Sequence, residues 1–308
     1  MWVLFDHDGG VDDAVALAVL AAAAEVELLG VCVTPGHGGV GAGVAVSRAL
    51  LSMAGLNGVP VAGGTLGPGH PFPEALRVDG ERLADRPVLA GRVPGGAGPS
   101  GEGEEPAHLM AARLLRSAGE PAVVVATGPL STLAAALDEH PDVEDRIERL
   151  YWMGGAIDVP GNVEEDGHDG SAEWNAYCDP PAVARVWDSN LDIHLCPLDA
   201  TNAVPLTAEL VERLSACEGS DMARFAAEAY GGVEVSAYHS WDVLTALWPL
   251  RPDLLFPEVV PCEVVTDPPA DGQIRRAMAG RAVTAALDAD GPGAHDELVA
   301  RLCGWRPR

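Results

Sequence analysis

The sequence predicts an α/β fold in which a mainly parallel central sheet is flanked by helices. Two observations carry this reading. Short, Val-rich apolar runs recur along the chain, and Ala/Leu-rich stretches with helical spacing alternate with them. Strands that read as near-continuous apolar runs are buried on both faces, the pattern of parallel strands covered by helices. Ligands bind such sheets beyond the carboxyl ends of the strands.

Residues 2–5 form the first apolar run, 12–24 the first helical pattern, 26–34 the second strand and 43–54 the second helix. The pair repeats at 122–127 and 130–137. Runs at 150–153 and 193–196 are strands that each lead into a loop, and 243–248 has helical spacing. Between residues 91 and 107, the stretch Pro94-Gly95-Gly96-Ala97-Gly98-Pro99-Ser100-Gly101 has the composition of a flexible segment. We read it as a surface insertion within one domain spanning 1–308, because residues of chemical interest on both sides point to one site.

With 308 residues, 48% of them hydrophobic, the chain can bury a large core. No apolar run approaches the roughly 18 residues of a membrane span. The N-terminus enters a strand with no basic region or cleavage site, so a cytoplasmic protein is expected. Six scattered cysteines (Cys32, Cys178, Cys196, Cys217, Cys262, Cys303) lack zinc-type spacing and are expected to be reduced core residues. A net charge of −27 repels nucleic acid and anionic membranes, which excludes both as expected partners. The excess fits solubility in a salty or crowded cytosol.

Four carboxylates fall within the eight residues Asp6-His7-Asp8-Gly9-Gly10-Val11-Asp12-Asp13, directly after the first strand. Like charges so crowded raise one another's pKa unless a cation compensates. Oxygen ligands favour Ca²⁺ or Mg²⁺ over zinc. Strand alternation sets Asp6 and Asp8 on one face, and Gly9-Gly10 permits a tight turn that returns Asp12 and Asp13 in the first helical turn, where free N–H groups favour negative charge. The competing reading is a solvated acidic loop that caps a helix.

Further candidates are scattered. Met153-Gly154-Gly155, Gly161-Asn162 and Glu173-Trp174-Asn175 offer donors and acceptors for a polyhydroxylated ligand, with Trp174 able to stack on a flat ring. Thr127-Gly128-Pro129 ends a buried strand, where a main-chain carbonyl could complete a calcium shell. Asp242, after Trp241, opens a helix and alone reads as an N-cap. His7 and His37 read as structural, and His239 as a better candidate acid. No G-x-S-x-G, P-loop or G-x-G-x-x-G occurs, so nucleotide-cofactor chemistry is not indicated.

Together these motifs resemble the nucleoside hydrolase family, calcium-dependent enzymes that cleave the N-glycosidic bond of ribonucleosides. The resemblance runs from Val3 to about Val283 and rests on six motifs in the family's order: the acidic cluster, Thr127-Gly128-Pro129-Leu130-Ser131, Met153-Gly154-Gly155-Ala156, Gly161-Asn162-Val163, Ala172-Glu173-Trp174-Asn175 and Trp241-Asp242. Trp174, Trp241 and the stretch Leu198-Asp199-Ala200-Thr201-Asn202 are similar to the purine-preferring inosine-adenosine-guanosine branch. The resemblance implies Ca²⁺ held by Asp8, Asp13, Asp242 and the Thr127 carbonyl. It implies ribose held by Asp12, Asn162, Glu173 and Asn175, with Asp6 orienting the site from behind. Asp8 is implied as general base for the attacking water, and the indoles of Trp174 and Trp241 as the stack that activates a purine. A homodimer or homotetramer is implied as well.

Two positions depart from the family pattern. After Pro71-Phe72-Pro73 the chain has Glu74-Ala75-Leu76-Arg77, where purine-specific relatives carry a further tryptophan. His37 stands close to where Asn or Asp often approaches ribose. A pyrimidine-preferring or broad hydrolase, and a binding protein without turnover, are the alternatives these departures leave open.

Overall fold

The computed structural model describes residues 1–92 and 105–306, the side chains of 75 and 76 excepted. Most of the Gly/Pro-rich insertion at 91–107 lies outside the described residues. The chain runs β1 (Trp2–His7), α1 (Val11–Ala22), β2 (Glu27–Val33), α2 (Val40–Met53), β3 (Val61–Gly63), α3 (Glu74–Glu81), α4 (Ala107–Ser117), β4 (Ala122–Ala126), α5 (Ser131–Glu139) and β5 (Ile147–Met153). It continues with α6 (Trp174–Cys178), α7 (Pro180–Trp187), β6 (Ile193–Cys196), α8 (Leu198–Thr201), α9 (Ala208–Ser215), α10 (Asp221–Tyr230), α11 (Trp241–Leu247), β7 (Leu255–Val264), β8 (Ile274–Arg276), β9 (Arg281–Ala289) and α12 (Gly291–Gly304).

Among the described residues, nine strands join one sheet in the order β3-β2-β1-β4-β5-β6-β9-β7-β8. Pairings from β3 across to β9 are parallel, and only β7 runs antiparallel to its neighbours β8 and β9. The order reverses direction between β1 and β4, since β1 leads outward to β2 and β3 while β4 leads to β5 and β6. Such a reversal opens a crevice beyond the carboxyl ends of the two strands. The acidic cluster follows β1 and Thr127 follows β4, so both reach that crevice.

Two apolar layers cover the sheet. One is built mainly from α1, α2, α10, α11 and α12, the other from α4, α5 and α7. Helix α1 packs against α2, α10, α11 and α12. Every residue from Val11 to Ala21 is buried, as expected for a helix that is apolar nearly all round. Asp12 and Asp13 thereby enter the interior on a helix whose other residues are small or apolar.

The expected helices and strands are present with boundaries shifted by a few residues. One expectation is corrected. Cys217 and Cys303 are joined in a disulfide rather than free, because α9 packs on α12 and brings their Cα atoms within 5.3 Å, inside the span a disulfide bridges. Cys32, Cys178, Cys196 and Cys262 are free and buried as expected. Among the described residues no helix is long and apolar enough to cross a membrane.

Candidate active site

At the end of β1 the chain turns through Gly9, whose φ of +85° suits glycine, and enters α1. His7 is structural: its Nδ1 accepts the Gly9 N–H at 3.1 Å, its Nε2 meets Ser47 Oγ at 2.9 Å, and burial pushes its pKa down to about 3. Asp8 points into the crevice, where its Oδ2 accepts the His37 N–H at 2.8 Å. Two loops press on it. A Cβ at Gly36 would fall 2.3 Å from Asp8 Oδ2, and one at Gly128 would fall 2.7 Å from Asp8 Cβ.

Asp13 folds back at the start of α1. Its Oδ2 accepts the Gly10 N–H at 2.7 Å and its Oδ1 the Thr127 hydroxyl at 2.5 Å, which joins the first strand's loop to the fourth's. Asp12 turns the other way. It accepts the Tyr230 hydroxyl and the backbone N–H groups of Asp242, at 2.5 Å, and Val243, at 3.0 Å, so it serves as the acceptor for the opening turn of α11. Asp6 lies behind, with Oδ1 accepting the Thr34 hydroxyl at 2.7 Å and Oδ2 without a hydrogen-bond partner.

The opposite rim comes from the segment after β5. Glu173 caps α6, accepting N–H groups from Gly155 at 2.9 Å, Asn175 at 2.9 Å and Ala176 at 3.2 Å. Asn175 donates through Nδ2 to the carbonyls of Thr127 and Met153, both at 3.1 Å. Asn162 Oδ1 accepts the Trp174 N–H at 3.1 Å. Gly161 permits this arrangement, since a Cβ there would stand 2.1 Å from the Ala172 carbonyl oxygen.

These walls enclose a cavity with about 520 Å³ of free space, its open mouth included. Asp8, Thr127 and Asp242 line it together with Asn162, Glu173 and Asn175. Trp174, Trp241 and His37 line it too. Of the residues expected to hold the metal or the ribose directly, Asp12 and Asp13 do not line it and lie beneath it. Sequence reasoning missed two lining residues, Phe72 and Tyr238, and named Met153 only within a motif, with no role in the site. In the sequence, the Pro71-Phe72-Pro73 stretch draws notice only for the tryptophan missing after it. The position of Met153 at the end of β5 was the available signal for that residue. His239 does not line the cavity: its ring packs 5.4 Å from Trp241 and burial lowers its pKa, while the neighbouring Tyr238 faces the space.

Burial dominates the electrostatics. It pushes Asp8 up to about 6 and Asp6, Asp12 and Glu173 up to about 7. Asp13 and Asp242 are also raised well above the ordinary value, first by burial and then by repulsion from neighbouring carboxylates. No basic group figures among the charges acting on Asp8, Asp13 or Asp242. Among the described residues, no three acidic, imidazole or thiol side chains are already arranged as a ligand cage. The donor chemistry is nonetheless that of a hard cation: buried carboxylate oxygens stand near one another, one Asp6 oxygen is unpartnered, and the leading charges acting on Asp8, Asp13 and Asp242 are carboxylates. Asp8, Asp242 and Thr127 line the cavity and Asp13 lies beneath it, so these are the oxygen donors that a hard cation could draw on there.

Residues 3–296 match the family model described as inosine-uridine preferring nucleoside hydrolase. The chain belongs to that family. It is 36% identical to the solved inosine-uridine preferring nucleoside hydrolase from Bacillus anthracis, with 98% of each chain covered and a TM-score of 0.90. A pyrimidine-specific ribonucleoside hydrolase, RihA, from Citrobacter koseri is 31% identical over 82% of this chain and 80% of its own length. A purine-preferring ribonucleoside hydrolase from Gardnerella vaginalis shares the fold, with a TM-score of 0.82 at 22% identity. Membership in this family agrees with the family resemblance read from the six motifs, and the fold matches in full.

Proposed function

We propose that this nucleoside hydrolase cleaves purine ribonucleosides to free base and ribose in a Ca²⁺-dependent reaction. The observation that carries the reading is the meeting, in one cavity, of buried carboxylates, an amide-rich polar rim and two indoles. Asp8, Asp13, Asp242 and the Thr127 carbonyl would hold the cation. When bound, Ca²⁺ would neutralise the clustered carboxylates and lower the pKa of a coordinated water.

Asp8 is the base in this reading. Its carboxylate faces the cavity, is fixed by the His37 N–H, and takes a proton from water as the oxygen attacks the anomeric carbon. The bond from that carbon to the base nitrogen breaks, and its electron pair leaves with the base. Positive charge that builds on the ribose is favoured by the carboxylates beneath it. Asn162, Glu173 and Asn175 hold ribose hydroxyls. Asp12 does not line the cavity, so its first contribution is to hold Asp242 in place. The departing purine is activated by Trp174 and Trp241.

A pyrimidine preference is the second reading, supported by the similarity to the pyrimidine-specific relative from Citrobacter koseri. His37 near Asp8 and the altered sequence after Pro73 also support it. In the same proposal the chain is a single domain, acting in the cytoplasm as a homodimer or homotetramer. Reducing-sugar release from inosine, guanosine, adenosine, uridine and cytidine, with and without chelator, tests function and base choice together. Preference for uridine or cytidine would remove the purine assignment, and absence of release from all five would remove the hydrolase assignment.

A further inference from the structure

Phe72 is buried, lines the cavity, and touches two of its other rings. The His37 imidazole lies almost flat against it, with centroids 4.5 Å apart and planes at 27°. The Trp174 indole leans on it at 4.8 Å and 59°. His37 is linked through its backbone N–H to Asp8, at the carboxylate end of the cavity. Trp174 belongs to the wall with Asn162 and Asn175. The phenyl ring is thus a wedge between the two.

The wedge is held firmly. Arg77, one turn into α3, donates from Nε at 2.8 Å and from a terminal nitrogen at 2.5 Å to the Phe72 carbonyl. Two residues earlier, the His70 N–H donates to the Cys178 carbonyl at 2.9 Å and His70 Nδ1 meets the Tyr177 carbonyl at 2.8 Å. The His70 ring stacks on Tyr177 at 4.3 Å, and Tyr177 meets Trp174 edge-on at 5.6 Å. Residues 70–72 are therefore fastened to α6, the helix that carries Trp174. A loop tied in this way to the helix it packs against is preorganised.

We infer that Phe72 is a specificity-determining residue, which sets the width available to the departing base by fixing the separation of His37 and Trp174. This rests on the nucleoside hydrolase reading of the cavity. Phe72 acts through its neighbours, so it is a positioning residue and carries no proton. Removing the ring adds the space it fills between His37 and Trp174 to the cavity, which relaxes the limit on larger bases. Discrimination by pocket size of this kind is worth about tenfold or more in kcat/KM.

The test compares wild-type protein with F72A and F72L, in calcium, for kcat/KM on inosine and uridine. The Ki of an iminoribitol without a base reports on the ribose end alone. The expected result is a shift of about tenfold in the inosine-to-uridine ratio in F72A, in favour of inosine, and a smaller shift in F72L, with the iminoribitol Ki within about threefold of wild type. A ratio shift below about threefold, a shift toward uridine, or a parallel loss of iminoribitol affinity in the folded variants overturns the inference. F72L carries the decision if F72A does not fold. Wild-type protein without any nucleoside turnover removes the functional reading and this inference with it, whereas active wild type with an unmoved ratio removes the inference alone.

Discussion

The carboxylate of Asp12 accepts the backbone N–H of Asp242 at 2.5 Å, across a sequence separation of 230 residues. Two adjacent aspartates on α1 thus divide their labour. Asp13 ties to the loop after β4 through Thr127, and Asp12 ties to the first turn of α11, so one helical turn gathers the distant residues proposed to bind the metal.

Replacing Asp12 with alanine leaves three buried donors without an acceptor: the Tyr230 hydroxyl and the N–H groups of Asp242 and Val243. At about 1–3 kcal/mol for each unsatisfied buried group, the loss of stability should reach about 3 kcal/mol or more. Denaturant unfolding measures it, and calcium affinity should fall in parallel as Asp242 drifts. D12N keeps one acceptor oxygen and should lose less. A D12A variant as stable as wild type would show that the link does not hold α11.

Without metal, the pH dependence of stability follows from the buried carboxylates. Asp8 at about 6, and Asp6, Asp12 and Glu173 at about 7, hold their protons more tightly in the folded chain than at the ordinary value near 4. Between those limits the folded state binds more protons than the unfolded one, so stability falls as pH rises from about 4 through about 7. The melting temperature of chelator-treated protein should therefore climb as pH is lowered from about 8 to about 5.5. Saturating calcium should flatten or reverse that slope, because the ion needs the deprotonated ligands. The same slope in both conditions would count against a cation among these carboxylates.

Substituting Asp8 with asparagine retains shape and the acceptor for His37 but removes the base and one charged metal donor. Turnover should fall by at least about a hundredfold, the low end for a general base, while circular dichroism and the melting temperature stay close to wild type. Near-normal turnover in D8N would exclude Asp8 as the base.

Ionic strength should matter more than usual. The 19 basic side chains are all arginine against 46 acidic ones, and the net charge is −27. Self-repulsion at that charge destabilises the compact state and is screened by salt. Thermal melts in rising potassium chloride should shift upward by several degrees, and a flat response would show that the surface charge is without consequence for stability.

Much of this was legible in the sequence because the signals are local. The strand at residues 2–5, its Gly9-Gly10 turn and the acidic residues beyond are contiguous, and the apolar alternation of strands and helices named the layer architecture. Thr127 and Asp242 could be placed beside the cluster only through the resemblance, since nothing local links them to it. The turn of Asp12 away from the cavity was not legible, because its partners Tyr230, Asp242 and Val243 lie more than two hundred residues on. Phe72 and Tyr238 escaped for a similar reason: each enters the cavity from a loop whose path depends on tertiary packing. The Cys217–Cys303 pairing was also invisible, as it depends on how α9 meets α12.

The most direct measurement is release of free base from a panel of purine and pyrimidine ribonucleosides by the purified protein, assayed as isolated, after chelation, and after calcium is restored. Release from inosine, guanosine and adenosine should be lost on chelation and recovered with calcium. No release from any nucleoside with calcium present, or release indifferent to chelation, would contradict a calcium-dependent nucleoside hydrolase.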